Sequence, residues 1–183
     1  MDLNLILIIA IVLIVLFVWS TYNSLATGKV RIKEALSGID VQLKRRVDLV
    51  PNLVASVKGY AKHEKSVLEN VTKARSSLMH AQSTAEKAKS DNMLSNALKS
   101  LIAISESYPD LKASSNFLEL QEELSDIEAK IAYARQFYNS NVESYNSTLV
   151  AFPGSVIGNM FGYKSEEFFQ AKEAEKEPVT VKF

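Results

Sequence analysis

"NFLELQEELSDIEAKIAYARQFYNSNVESYNSTL", residues 116–149, places Phe117, Leu120, Leu124, Ile127, Ile131, Ala134, Tyr138 and Tyr145 on one seam, with Asn141 among them. The steps between them alternate three and four. That spacing predicts one helix with a single apolar stripe, ~50 Å long at 1.5 Å per residue. A stripe of that length has to be covered by other helices, so the segment sets the fold class as an all-α bundle. Asn141 is expected to make a buried or half-buried hydrogen bond that fixes the register of the seam. Pro153 and Gly154 end the pattern.

Working outward, two earlier stretches carry the same periodicity. Residues 22–49 read as a first helix, ~42 Å long, with Tyr22, Leu25, Ile32, Leu36, Ile39 and Leu43 on its seam. Pro51 removes an N–H and crowds the preceding turn, so an elbow is predicted there, with Asp48 as N-cap of the next helix. The second helix has Leu53, Val57, Tyr60, Val67, Val71, Ala74 and Leu78 on its seam, interrupted once by Glu64. Its end is open between two signals: "STAE" at 83–86 fits a capping box, and "SD" at 90–91 also fits a helix start. A third helix carries Leu94, Leu98, Leu101 and Tyr108 and stops at Pro109. Long amphipathic helices with short connections pack up and down, which predicts an antiparallel, four-helix-type bundle. That order puts the Pro51 elbow and the "YPDLKASSN" turn at the end far from the N-terminal segment, and residues 152–163 near it.

"LNLILIIAIVLIVLFVW", residues 3–19, has Asn4 as its only polar side chain. Extended by Ser20, Thr21 and Tyr22, it is long enough to span the ~30 Å hydrocarbon core of a bilayer. Trp19 and Tyr22 suit the aromatic belt at the interface. The segment lacks the basic start and small-residue cleavage site of a signal peptide, so an uncleaved anchor is expected. Lys29, Arg31 and Lys33 follow it and none precedes it, which favours a short N-terminus outside and a cytoplasmic bundle at the bacterial inner membrane. The expected domains are an anchor at 1–21, the bundle at 22–150, and a membrane-proximal cap and tail at 151–183.

Composition narrows the function. The 183 residues carry no formal net charge, which argues against non-specific nucleic-acid binding. With no cysteine, thiol nucleophiles, disulfides and thiolate zinc sites are excluded. "HEKSV" at 63–67 begins like a zinc protease motif, but Val67 stands where the second histidine would be. Neither a phosphate-binding glycine loop nor a di-iron Glu-x-x-His pair is present. No enzyme, catalytic residue, metal or cofactor is therefore expected.

Three features read as candidate interaction surfaces. The basic triplet Lys44, Arg45 and Arg46 is expected in the last turns of the first helix, where the dipole favours it. Across the elbow it faces the acids Glu119, Glu122, Glu123, Asp126 and Glu128. "FPGSVIGNMFGY" at 152–163 is an apolar cap or a lipid contact, through Phe152, Met160 and Phe161. "PVTVKF" at 178–183 alternates with period two, so a short strand is expected there, with Val181 and Phe183 available to a partner's sheet edge.

"DVQLKRRVDLVPNLVASVKGYAKHEKSVLENVTKARS" (40–76), "YPDLKASSNFLELQEEL" (108–124) and "IAYARQFYNSNVESYN" (131–146) resemble LemA family proteins, as do the anchor, the "FP…FGY" piece and the terminal "PVTVKF". The chain departs from the family pattern at "IEAKIAYARQ", where a more polar run is expected, yet Ile127 fits the seam. The resemblance implies a bacterial membrane-anchored helical bundle and carries no mechanism. The expected role is a scaffold or adaptor acting through protein contacts, with the bilayer, a second copy of the chain and a membrane protein as partners. A regulatory or sensor subunit of a membrane enzyme such as a protease, and a lipid- or envelope-organising protein, are the alternatives.

Overall fold

Helix α1 runs without interruption over Leu3–Tyr60, straight through Pro51. The computed structural model describes residues 3–61 and 63–169, and in it α1 is followed by α2 (Lys65–His80), α3 (Thr84–Ser105), α4 (Pro109–Lys112), α5 (Ser115–Val150) and α6 (Gly154–Phe161). The described residues form two units, one from 3–37 with 136–168 and the other from 38–135 with 169. The fold is all-α, with no strand among the described residues. The strand expected at 178–183 lies outside them.

The elbow expected at Pro51 is corrected by a contact between helices. A proline inside a helix leaves the carbonyl four residues earlier without its donor. Here that carbonyl belongs to Val47, and Arg75 of α2 donates its Nε–H to it at 2.9 Å. A tertiary donor replaces the missing backbone N–H, and the helix continues for nine more residues. α1 ends instead at Tyr60, and α2 begins at Lys65. Glu64, which looked like a polar interruption of a seam, is the N-cap of α2.

In the second unit, α1 contributes Ile39, Leu43, Val50, Leu53 and Val57, and all are buried. Val71, Ala74 and Leu78 of α2, Leu94, Leu98 and Leu101 of α3, and Phe117, Leu124, Ile127 and Ile131 of α5 are buried as well. The cross-links between α1 and α3 advance together, Asp40 with Lys87 and Arg46 with Asp91 and Ser95. The two helices are therefore parallel, and α2 runs back between them, as an up-and-down order requires. The open choice at the start of α3 resolves to "STAE". Ser83 caps Glu86 N–H, and the Glu86 carboxylate accepts from the backbone of Gln82 and Ser83. Those backbone donors hold the Glu86 carboxyl below its usual range. The rival "SD" at 90–91 lies inside α3. At the far end of that helix, Tyr108 stands outside it as N-cap of α4, with Pro109 in the first turn.

In the first unit, α1 and α5 run antiparallel: Phe17 meets Phe152, and Gly28 lies against the Tyr145 ring. Leu25, Ile32 and Ala35 are buried with Tyr138, Val142 and Tyr145. The buried seam passes through Val142, and Asn141 donates to Phe137 in its own helix, so its described bond is local and crosses no seam.

Candidate functional site

The apolar stretch at the start of α1 is long and apolar enough to cross a membrane, and none of it is buried against the described chain. A helix face of that composition left bare is stable only in a non-aqueous phase. The chain is accordingly membrane-associated. Where this stretch ends, an aromatic collar forms. Phe17 and Phe152 have ring centroids 6.5 Å apart, and Tyr22 packs edge-on against Phe161 at 4.8 Å and Tyr163 at 5.9 Å.

Helix α6 builds the collar by docking on the end of α5. Its inner face is Gly154, Ile157 and Gly158, all buried. A Cβ on Gly154 would lie 1.8 Å from the Thr148 carbonyl oxygen, so only glycine permits the approach. Gly158 faces the Leu149 side chain, which has freedom to move. Gly162, at φ 72°, closes the helix with Tyr163 N–H bonded back to the Gly158 carbonyl at 2.9 Å. Gly154→Ala is expected to loosen α6, with hydrogen exchange across 154–161 accelerating and an overpacking cost of about 1–3 kcal/mol. Gly158→Ala should cost less, because a rotating leucine relieves its contact.

After Gly162 the chain lies extended along α5, held by its backbone. Tyr145 Oη donates to the Lys164 carbonyl and Tyr138 Oη to the Glu167 carbonyl, both at 2.9 Å. The Asn146 side chain exchanges two bonds with the backbone of Glu166, each 2.9 Å. Burial, with the Glu166 carboxylate nearby, pushes the Tyr145 phenol up, so the hydroxyl remains a donor. Lys29 and Glu166 add an exposed ion pair at 3.7 Å that contributes little.

The basic triplet divides in three ways. Lys44 is exposed and pairs with Asp48 one turn on. Arg45 is exposed and shares a surface hollow with Glu123 and Asp126. Arg46 is buried, which corrects its assignment to an interaction surface. Its Nη1 donates to Asp91 Oδ1 at 2.7 Å and Ser95 Oγ at 2.9 Å, and its Nη2 to Glu128 Oε1 at 2.5 Å. Asp91 also accepts from Arg135, whose guanidinium stacks 4.9 Å from the Phe169 ring. Two guanidiniums and two carboxylates thus close into a neutral cluster joining α1, α3 and α5. The dipole argument does not hold for the triplet, since Tyr60 ends the helix fourteen residues beyond Arg46. The acids are not at a helix start either, because the first turn of α5 holds none.

The clue to Arg46 and Asp91 was available in the heptad phase. Four-three steps from Ile39 and Leu43 to Val50, Leu53 and Val57 fall on Arg46. The same steps along α3, from Ala88 to Leu98, fall on Asp91 and Ser95. Among the described residues no group of acids and histidines could hold a metal. Phe152, Met160 and Phe161 are exposed. Val181 and Phe183 lie outside the described residues.

Comparison with known proteins places these features. The LemA family model matches residues 35–183. The magnetosome protein MamQ of Magnetospirillum gryphiswaldense is 25% identical over 184 residues, covering 86% of this chain and 68% of its own length. Magnetosome protein MamQ 1 of Paramagnetospirillum magneticum is 24% identical with the same coverage. Protein LemA of Metamycoplasma hominis is 29% identical over 158 residues, covering 84% of this chain and 71% of its own.

Proposed function

The chain belongs to the LemA family, and on that premise we propose that it is a single-pass inner-membrane scaffold whose bundle faces the cytoplasm and assembles with further copies of itself. One observation carries the reading. The unburied apolar stretch and the part of α1 that packs on α5 are one helix, with no linker between them. Lateral association of anchors would therefore bring bundle surfaces together directly. The Lys29, Arg31 and Lys33 bias supports the cytoplasmic side.

The test is native mass spectrometry of the full chain extracted from its own membrane. Homo-oligomers are the expected result. A one-to-one complex with a membrane enzyme would favour a regulatory subunit instead, and a monomer across the accessible concentrations would overturn self-assembly.

A further inference from the structure

We propose that α6 and the turn before it are seated in the boundary between headgroups and acyl chains of the bilayer, so that Phe152, Val156, Met160 and Phe161 touch lipid. The proposal rests on α1 being the membrane span, and it adds a second, separate lipid contact to the chain.

Four observations carry it. First, residues 150–163 contain no charged side chain, and the cations Lys29 and Lys164 appear only just beyond the collar. That is the order of residue types met on leaving a hydrocarbon core for water. Second, α6 is sided. Its inner face is buried on α5, while Phe152 is 79% exposed, Met160 66% and Val156 59%. The outer face is too apolar to be left to water on a helix whose inner face is already satisfied. Third, this face is continuous with the unburied span, through the ring contacts of Phe17 with Phe152 and Tyr22 with Phe161. What covers Phe17 also covers Phe152. Fourth, α6 is braced rather than loose, by Gly154 on the Thr148 carbonyl and by the left-handed Gly162 cap. The exposed face is held outward by fixed packing.

The contacts also set a depth order. Phe152 lies beside Phe17, inside the apolar stretch, and Phe161 beside Tyr22, five residues further along α1. Five residues are ~7.5 Å of helix. Phe152 should therefore sit deepest, with Met160 and Phe161 nearer the headgroups.

Trp19 is the single tryptophan, which gives the experiment an internal standard. The full chain is reconstituted in phosphatidylcholine vesicles with bromine at mid-acyl positions, and its fluorescence is compared with that in unbrominated vesicles. Three proteins are measured: the natural chain, Trp19→Phe with Phe152→Trp, and Trp19→Phe with Met160→Trp. Retained helical circular dichroism confirms folding of each, and both new tryptophans replace exposed side chains. The expected result is strong quenching of Trp19 and of the tryptophan at 152, and weaker but distinct quenching at 160. Quenched Trp19 with unquenched, water-like emission at 152 and 160 overturns the proposal and leaves the anchor standing. Blue-shifted but unquenched emission at both sites overturns it in favour of coverage by a second copy. An unquenched Trp19 overturns the anchor and this proposal together.

Discussion

Asp91→Ala should lower the melting temperature of the chain by roughly 10 °C, followed by circular dichroism in detergent. The carboxylate is 1% exposed and accepts from both Arg46 and Arg135. Removing it leaves two guanidiniums in a low-dielectric core with only the half-exposed Glu128 to balance them. Breaking a buried pair in this way costs about 3–5 kcal/mol. At about 2–4 °C per kcal/mol for a chain of this size, the loss is readily seen. Replacing the cluster as a whole, with Arg46→Met, Asp91→Leu and Arg135→Met together, should recover most of the stability, since no buried charge is then unpaired. Reversing the charge of exposed Arg45 should change little. A melting point for Asp91→Ala within a degree or two of the natural chain would mean that the cluster is solvated, and would sink the argument.

The second large effect is expected at Pro51, in the direction opposite to most core substitutions. Arg75→Met removes the donor to the Val47 carbonyl and leaves a buried acceptor unmet, at about 1–3 kcal/mol. Pro51→Ala restores the backbone N–H to that same carbonyl and removes the ring, a change worth up to ~3 kcal/mol inside a helix. Pro51→Ala should therefore stabilise the chain. In its background Arg75→Met should become nearly silent, because the carbonyl now has its own backbone donor. The measurement is a double-mutant cycle of thermal or urea unfolding. Additive effects of the two substitutions would show that Arg75 does not stand in for the proline's missing hydrogen.

Much of this protein is legible in its sequence. Sixteen apolar residues interrupted only by Asn4 mark residues 3–19 as a candidate membrane span, because their burial needs no partner but lipid. The seam of α5 is buried at Phe117, Leu124, Ile127, Ile131, Tyr138 and Tyr145, one of the two capping signals before α3 forms at Ser83 and Glu86, and α3 and α5 end within four residues of Pro109 and Pro153. These are local effects: periodicity, caps and a missing N–H act within a turn or two of the residue that causes them.

Where the fold departs from these local effects, a local rule is overruled from another helix. Pro51 breaks a helix in isolation, and it does not break α1 because Arg75 arrives from α2 to complete the hydrogen-bond account. Arg46 looked like surface within a basic triplet, and it is core because Asp91 and Glu128 neutralise it from α3 and α5. Neither donor nor acceptor is near in sequence: Arg75 lies 28 residues from Val47, and Asp91 lies 45 from Arg46. Sequence alone determined that the chain is an apolar span followed by helices with one sticky face. Only the tertiary structure decided which breaks are bridged and which charges are buried, because a hydrogen bond or ion pair between helices exists only once the fold has brought its two halves within 3 Å.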